Sequence, residues 1–126
     1  MSETLFDRIG GDALRRVIED FYRRVFADTM IGFLFLDKNR ERLVQKEWEL
    51  AAGVLGAKVA YTGRPMSKAH ARVPITLGHF DRRLVLLEDA LDANQVDPEV
   101  KRRLLEHARS LREELTADPE GVCRPR

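Results

Sequence analysis

Cysteine is nearly absent from this chain, and a strong net charge is missing as well. The single cysteine, Cys123, excludes an internal disulfide and also excludes zinc or iron–sulfur sites that are built from several thiolates. The 22 Lys and Arg residues balance 21 Asp and Glu residues to a formal net charge of +1, which disfavours nucleic acid or an anionic membrane as partner. Any metal must therefore be held by histidine, by carboxylates or by a prosthetic group.

Long apolar runs are also missing. No stretch approaches the roughly 20 residues that span a bilayer, and the start MSETLFDRIGG lacks the basic and apolar parts of a secretory signal. We therefore expect a cytoplasmic protein without a membrane span. The length of 126 residues fits one globular domain, which we place at 1–117, followed by a polar and mobile tail over 118–126.

Apolar residues recur at spacings of three and four, and no segment alternates with a period of two, so the sequence predicts an all-α fold. Asp12 is expected to cap the first helix, and the segment TMIGFLFLDKN (29–39), which we call the corner, is expected to be a tight buried connection. The predicted helices cover 12–28, 39–55, 76–92 and a last segment that starts at Asp97 and Pro98.

Glu47 breaks the helical pattern, because it falls within the apolar stripe that Leu43, Leu50 and Val54 form. An acidic residue in such a place must be paired, protonated, linked to water or facing a cavity. One interpretation is a carboxylate at the edge of the buried face that reaches an arginine. The other is a functional group that addresses a ligand cavity.

His70 lies in MSKAHARVP, which fits only one or two helical turns before Pro74. Its imidazole could project into the interior that Glu47 addresses, although an isolated histidine is more often a surface or hydrogen-bonded core residue. His79 and His107 receive that second interpretation. The three histidines do not match a zinc signature, and the sequence contains neither a GxSxG turn nor a phosphate-binding glycine loop.

The order of the motifs is more specific than any one of them. LFDRIGG is followed by VIEDFYRRVFAD, GFLF, LVQKEWELAAGVLG, YTGRPM, AHARVPI and HFDR. This succession resembles the truncated haemoglobins, most closely their first group, from about Leu5 to Leu115. The resemblance implies a two-over-two helical sandwich around haem b, with an almost absent first helix and an extended loop before the proximal histidine.

The resemblance also implies roles for individual residues. His70 corresponds to the proximal iron ligand and Tyr22 to the distal hydrogen-bond donor, while Glu47 corresponds to a residue facing the distal side. In the alternative interpretation, the buried hydroxyl of Tyr22 bonds a backbone carbonyl. The other implied cofactor-binding residues line the haem or, in the case of the lysine, pair with a propionate: Phe35, Leu43, Lys46, Tyr61, Met66 and Ile75.

The function that the resemblance implies is reversible binding of O2 at ferrous haem iron, with NO and CO as competitors. Oxidation of NO to nitrate is a further activity of this kind, and it would need a separate reductase because the sequence encodes no flavin or nicotinamide site. A peroxidase-like reaction is another. The resemblance leaves open a monomer or a weak homodimer formed through the last two helices. The alternative from another class is a globin-like regulatory or interaction module that does not act through gas binding.

Glu47 departs from the first group, many members of which have glutamine or another neutral group there. A bound gas ligand with partial negative charge is stabilised by a hydrogen-bond donor and repelled by an ionised carboxylate. Glu47 could be protonated and donate, or it could stay ionised and favour the ferric state or serve as an acid–base group. We hypothesise that Glu47 makes ligand affinity or autoxidation depend on pH.

Overall fold

The computed structural model describes residues 3–60, 62 and 77–116, with side chains up to Arg112. Across these ranges the regular structure is helical and contains no strand, which confirms the all-α prediction. The tail over 118–126 lies outside the described residues. The elements are α1 Leu5–Ile9, α2 Gly11–Ala27, a short 3-10 helix Gly32–Phe35, α3 Arg40–Val54, α4 Leu77–Ala93 and α5 Pro98–Thr116.

Helix α2 is the centre of the fold, and its buried face has the predicted spacing. The buried residues are Leu14, Val17, Ile18, Phe21, Tyr22 and Val25. The predicted cap is wrong, because Gly10 is the N-cap of α2 and Asp12 lies in its first turn. Gly10 also ends α1, at a φ of 83° that glycine adopts readily, so one residue turns the chain from the first helix into the second.

The helices form two layers that meet at α2. Helix α2 packs against α3 in one direction and against α4 in the other, and α4 packs against α5. The pairs α2–α3 and α4–α5 therefore make a two-over-two arrangement. Helix α1 has only 5 residues and is fixed by a reciprocal capping box between Thr4 and Asp7, which matches the implied remnant of a first helix.

Two further helices begin at side-chain caps. The Asn39 side chain accepts a hydrogen bond of 3.0 Å from the amide of Arg42 and caps α3, which begins at Arg40, one residue after the predicted start at 39. Asp97 accepts one of 2.8 Å from the amide of Glu99, with Pro98 in the first turn of α5. None of the helices in the described ranges is long and apolar enough to cross a membrane.

The corner is only partly buried. Ile31 and Gly32 are buried, but Met30, Phe33 and Leu36 are 49%, 56% and 84% exposed. The prediction of a fully buried connection is therefore wrong for these three side chains. A 3-10 helix turns by about a third of a circle per residue, so consecutive side chains cannot all face one core.

Two contacts hold the corner against its neighbours. The Asp28 carboxylate accepts hydrogen bonds of 3.0 Å from the amides of Met30 and Ile31, and Arg82 of α4 donates to it at 2.7 Å. At Gly32, a Cβ atom would lie 2.9 Å from the carbonyl oxygen of Phe26, so only glycine lets the corner approach the end of α2 this closely.

Candidate functional site

Three polar side chains meet where α2, α3 and α4 come together. The Tyr22 hydroxyl of α2 donates to Oε1 of Glu47 on α3 across 3.5 Å, and Nη2 of Arg83 on α4 donates to the same oxygen at 3.1 Å. Tyr22 is buried, and the side chains of Glu47 and Arg83 are only 20% and 16% exposed. We call these three residues the polar cluster.

Aromatic rings surround the polar cluster. The Tyr22 ring lies 4.9 Å from Phe21 and 6.5 Å from both Phe26 and Phe35, measured between centroids. The guanidinium of Arg83 lies over the Phe21 ring at 4.9 Å, an attractive arrangement for a cation. The cluster is therefore a small polar spot on an otherwise aromatic wall.

The surroundings fix the charge of two members of the cluster. Burial raises the pKa of Tyr22, and the Glu47 charge raises it further against the opposing effect of Arg83, so the phenol keeps its proton at neutral pH. For Arg83, burial alone would lower the pKa, but the negative charge of Glu47 and the Tyr22 hydroxyl outweigh burial and raise it. The site thus holds a neutral donor beside a cation.

The predicted distal residues are brought together. Phe35 stands in the aromatic wall beside Tyr22. Leu43 lies one turn before Glu47 on α3, half-buried against the core. The ammonium of Lys46 contacts Oγ1 of Thr62. The other predicted site residues, Tyr61, Met66, His70 and Ile75, lie outside the described residues, and their roles stay predictions.

The structure resolves the local alternatives for Tyr22 and Glu47. The hydroxyl of Tyr22 does not bond a backbone carbonyl but a carboxylate. Glu47 reaches an arginine, which confirms the interpretation of a paired acid.

Arg83 is the site residue that the sequence reasoning missed. A signal for it was present, because Arg83 follows Phe80 by three residues and precedes Leu84, so it falls on the apolar stripe of α4. Glu47 occupies the same kind of position on α3. Two opposite charges, each inside an apolar stripe of a helix, predict a buried pair between those helices.

Glu49 fixes the chain beyond α3 and was also not singled out. It is only 7% exposed, and its carboxylate accepts hydrogen bonds from Gln45 at 2.9 Å and from the amide and hydroxyl of Thr62 at 2.8 Å. The bond from Gln45, followed by those from Thr62, lowers the pKa of Glu49 to about 2. Thr62 is thereby held beside Lys46, at the edge of the site.

The described residues fit a haem on this side of α3. The distance of 3.5 Å between the Tyr22 hydroxyl and Glu47 is at the long limit of a hydrogen bond, so this buried donor is available to a closer acceptor. Phe33 and Leu36 of the corner expose apolar surface next to Phe35, as a site for a large apolar group requires. A gas ligand at haem iron would be such an acceptor.

Comparisons with known proteins agree with this geometry. The profile of the bacterial-like globin family matches residues 4–117. The Group 1 truncated hemoglobin GlbN of Mycolicibacterium paratuberculosis is 38% identical over 119 residues, which cover 94% of this chain and 88% of that protein. The protein of the same description from Nostoc sp. is 28% identical over 114 residues, covering 86% of this chain and 93% of the relative.

A similar fold is known from a crystal structure. The 2/2 hemoglobin from Synechococcus sp. PCC 7002, solved in the cyanomet state with covalently attached heme, has a TM-score of 0.84. The likeness covers 92% of this chain and 100% of that one at 20% identity, and it shows the fold.

Proposed function

Since the chain belongs to the bacterial-like globin family and is a group 1 truncated haemoglobin, a haem-binding globin, we propose that it reversibly binds dioxygen, with NO and CO as competing ligands. The observation that carries the proposal is the loosely held hydroxyl of Tyr22, a buried donor on an aromatic wall. When bound, haem supplies the ferrous iron at which the gas binds and from which it draws electron density. Tyr22 then donates its hydrogen bond to the negatively polarised ligand.

The other pocket residues support this role. His70 is proposed as the axial imidazole, and Lys46 is proposed to pair with a haem propionate at the edge where Thr62 lies. Phe35 and Leu43 exclude water from the distal side, which slows oxidation of the iron. Tyr61, Met66 and Ile75 are proposed to complete the wall.

The test is reconstitution with hemin followed by absorption spectra of the ferric, ferrous and CO-bound protein. We expect a strong Soret band at one haem per chain and reversible changes with O2 and CO. His70→Ala should alter the ferric and ferrous spectra, whereas the matched control His79→Ala, on α4, should leave them unchanged. Protein that stays colourless with hemin would refute gas binding and favour the regulatory module. Unchanged spectra in His70→Ala would refute the axial assignment.

Several finer properties belong to the same proposal. The protein acts in the cytoplasm as a monomer or weak homodimer, and a separate reductase returns ferric protein to the ferrous state. The globin domain is 1–117, and a polar tail follows over 118–126. Cell fractionation, sedimentation velocity, reduction assays with and without added reductase, and hemin binding by a chain truncated after residue 117 test these points in turn.

The proposed pH dependence concerns Glu47, which faces Tyr22 from α2 and Arg83 from α4 and follows Lys46 on its own helix. Glu47→Gln should change how O2 dissociation and autoxidation respond to pH between mildly acid and neutral conditions. Identical pH profiles for the variant and the wild type would refute this hypothesis.

A further inference from the structure

Arg83 lies close to the Tyr22 hydroxyl, which is the expected hydrogen-bond donor to the ligand. Arg83 can therefore influence this donor without donating to the ligand itself. It reaches the cluster from α4, with its side chain 16% exposed and its guanidinium over the Phe21 ring at 4.9 Å. A cation held this far from water needs a negative partner. Glu47 supplies the partner, on the opposite helix layer.

Tyr22 and Arg83 donate to the same oxygen atom. Oε1 of Glu47 accepts from Arg83 at 3.1 Å and from Tyr22 at 3.5 Å. The carboxylate assists both bonds, but only the shorter one also has a charged donor, which strengthens it. Arg83 is therefore the more strongly bound partner of the carboxylate, and the Tyr22 hydroxyl, at the long limit of a hydrogen bond, is held more weakly.

Without Arg83, the same carboxylate would act on the pocket in two ways. It would lie beside Tyr22 with no cation to balance it, and the phenol hydroxyl would become its nearest donor. Its uncompensated negative charge would also repel a negatively polarised ligand. Both effects weaken ligand binding, and both operate through Glu47.

We propose that Arg83 is a positioning residue for gas binding: by neutralising and occupying Glu47, it leaves the Tyr22 hydroxyl free to turn to the ligand. The inference rests on the proposed function, since the ligand is the acceptor that Tyr22 turns to. It also explains how this chain accommodates an acidic residue on the distal side. Arg83 compensates the charge, and Tyr22 remains the donor.

The first experiment measures O2 dissociation from the ferrous holoprotein after Arg83→Leu. The rate should rise about fivefold to tenfold, which corresponds to the loss of one hydrogen bond to the ligand. Arg82→Leu is the matched control, because Arg82 is the neighbouring arginine of α4 and pairs outside the cluster with Asp28, the C-cap of α2. The control should leave the rate within about twofold of wild type.

A second variant separates an indirect role from a direct one. In the Glu47→Leu background, Arg83→Leu should change the dissociation rate by less than about twofold, because the carboxylate that Arg83 restrains is gone. An effect that persists undiminished there would mean that Arg83 contacts the ligand directly, and it would overturn the proposal. The double variant also replaces a buried ion pair by apolar side chains, a change that folds allow.

A third background tests the part played by Tyr22. Most of the effect of Arg83→Leu should disappear when Tyr22→Phe has already removed the hydroxyl. A full effect in the Tyr22→Phe background would show that Arg83 acts by charge balance alone, and it would overturn the positioning of Tyr22. Arg83→Lys, which keeps the charge, should restore part of the slow dissociation.

The vibrational spectrum of the CO complex gives a readout independent of O2 kinetics. A donor or positive charge near the oxygen end of CO lowers its stretching frequency, so Arg83→Leu should raise it and the added Glu47→Leu change should lower it again. An unchanged frequency in Arg83→Leu would contradict the proposal. Normal haem and gas binding without these shifts would refute only this inference, whereas failure to bind hemin would refute the proposed function and this inference together.

Discussion

Arg82 and Arg83 are consecutive residues of α4, yet they make opposite kinds of ion pair. Arg82 is 37% exposed and donates at 2.7 Å to Asp28, whose side chain is only 5% exposed, at the point where α2 ends and the corner begins. Arg83 is 16% exposed and donates at 3.1 Å to Glu47, which is 20% exposed, within the polar cluster. One helix thus carries a pair at the corner, the edge pair, beside a pair in the polar cluster, the interior pair.

The partners explain the difference. Asp28 also accepts the amides of Met30 and Ile31, so its carboxylate organises backbone and would do so even without the arginine. Glu47 shares its oxygen with Tyr22, so its contacts are with side chains alone among those described here. We infer that the Arg82 pair shapes the corner, whereas the Arg83 pair sets the chemistry of the pocket.

The largest expected effect comes from breaking the interior pair. Glu47→Leu or Arg83→Leu alone should lower the free energy of unfolding by about 2 kcal/mol, because the remaining charge is left without its partner in a poorly hydrated place. The double change should destabilise the protein by less than either single one. Urea unfolding of the ferric holoprotein, followed by circular dichroism, measures this cycle. Additive losses would show that the two side chains are energetically independent.

The edge pair should respond differently. Asp28→Ala removes the acceptor of two backbone amides and should lower the free energy of unfolding by about 1 to 2 kcal/mol, with O2 dissociation unchanged. Asp28→Asn keeps an oxygen for those amides and should recover most of the loss. Faster O2 dissociation in Asp28→Ala would show that the corner and the pocket are coupled. It would contradict the separate roles of the edge pair and the interior pair.

Acid should weaken the edge pair, with a smaller effect on stability. The hydrogen bond from Arg82, assisted by the amides of Ile31 and Met30, lowers the pKa of Asp28 from its ordinary value of 3.8. Its stabilising contribution is therefore present above pH 3.8 and is lost as the pH falls through the lower pKa of the folded state. Wild type and Asp28→Asn should therefore differ in urea midpoint above pH 3.8 and converge as the pH falls below it toward the folded-state pKa of Asp28. A constant difference would contradict this assignment.

The smallest effect is that of salt. Raising NaCl to about 1 M shortens the screening length to about 3 Å, which weakens pairs that water reaches more than pairs that it does not. Arg82 is more exposed than Arg83, but the Asp28 side chain is only 5% exposed against 20% for Glu47, so the coupling within each pair, measured by a double-mutant cycle, should fall by a similar fraction. A clearly larger loss in one pair would mean that water reaches that pair more.

The sequence predicted the helices because each had to bury one apolar face. In α2 the regular spacing from Leu14 to Val25 determined both the type of element and its buried side. The caps were less certain: the start predicted at Asp97 and Pro98 was right for α5, but Gly10 and not Asp12 caps α2, since a glycine with positive φ already ends α1 there. At the corner, apolar composition did not indicate burial, because the short 3-10 helix buries Gly32 but leaves Phe33 and the following Leu36 exposed.

Two of the three residues of the polar cluster were predicted from the sequence. Tyr22 and Glu47 were identified from a resemblance and from one misplaced charge, and the structure brings them together. Arg83 was missed because it lies 36 positions beyond Glu47. In a sequence rich in arginine, its residue type alone does not distinguish it from the other arginines. Comparing the two helices for opposite charges within their apolar stripes would have found the pair.

Gly32 influences the shape of the pocket through the position of the corner. The hydrogen of this residue faces the carbonyl of Phe26 where a methyl group would stand 2.9 Å away, so any larger residue must lift the corner from the end of α2. Phe35 belongs to the same short helix, and its ring packs against that of Tyr22. The clearance beside the phenol is consequently set in part at Gly32, and an engineer could change the shape of the cavity by substituting this one residue.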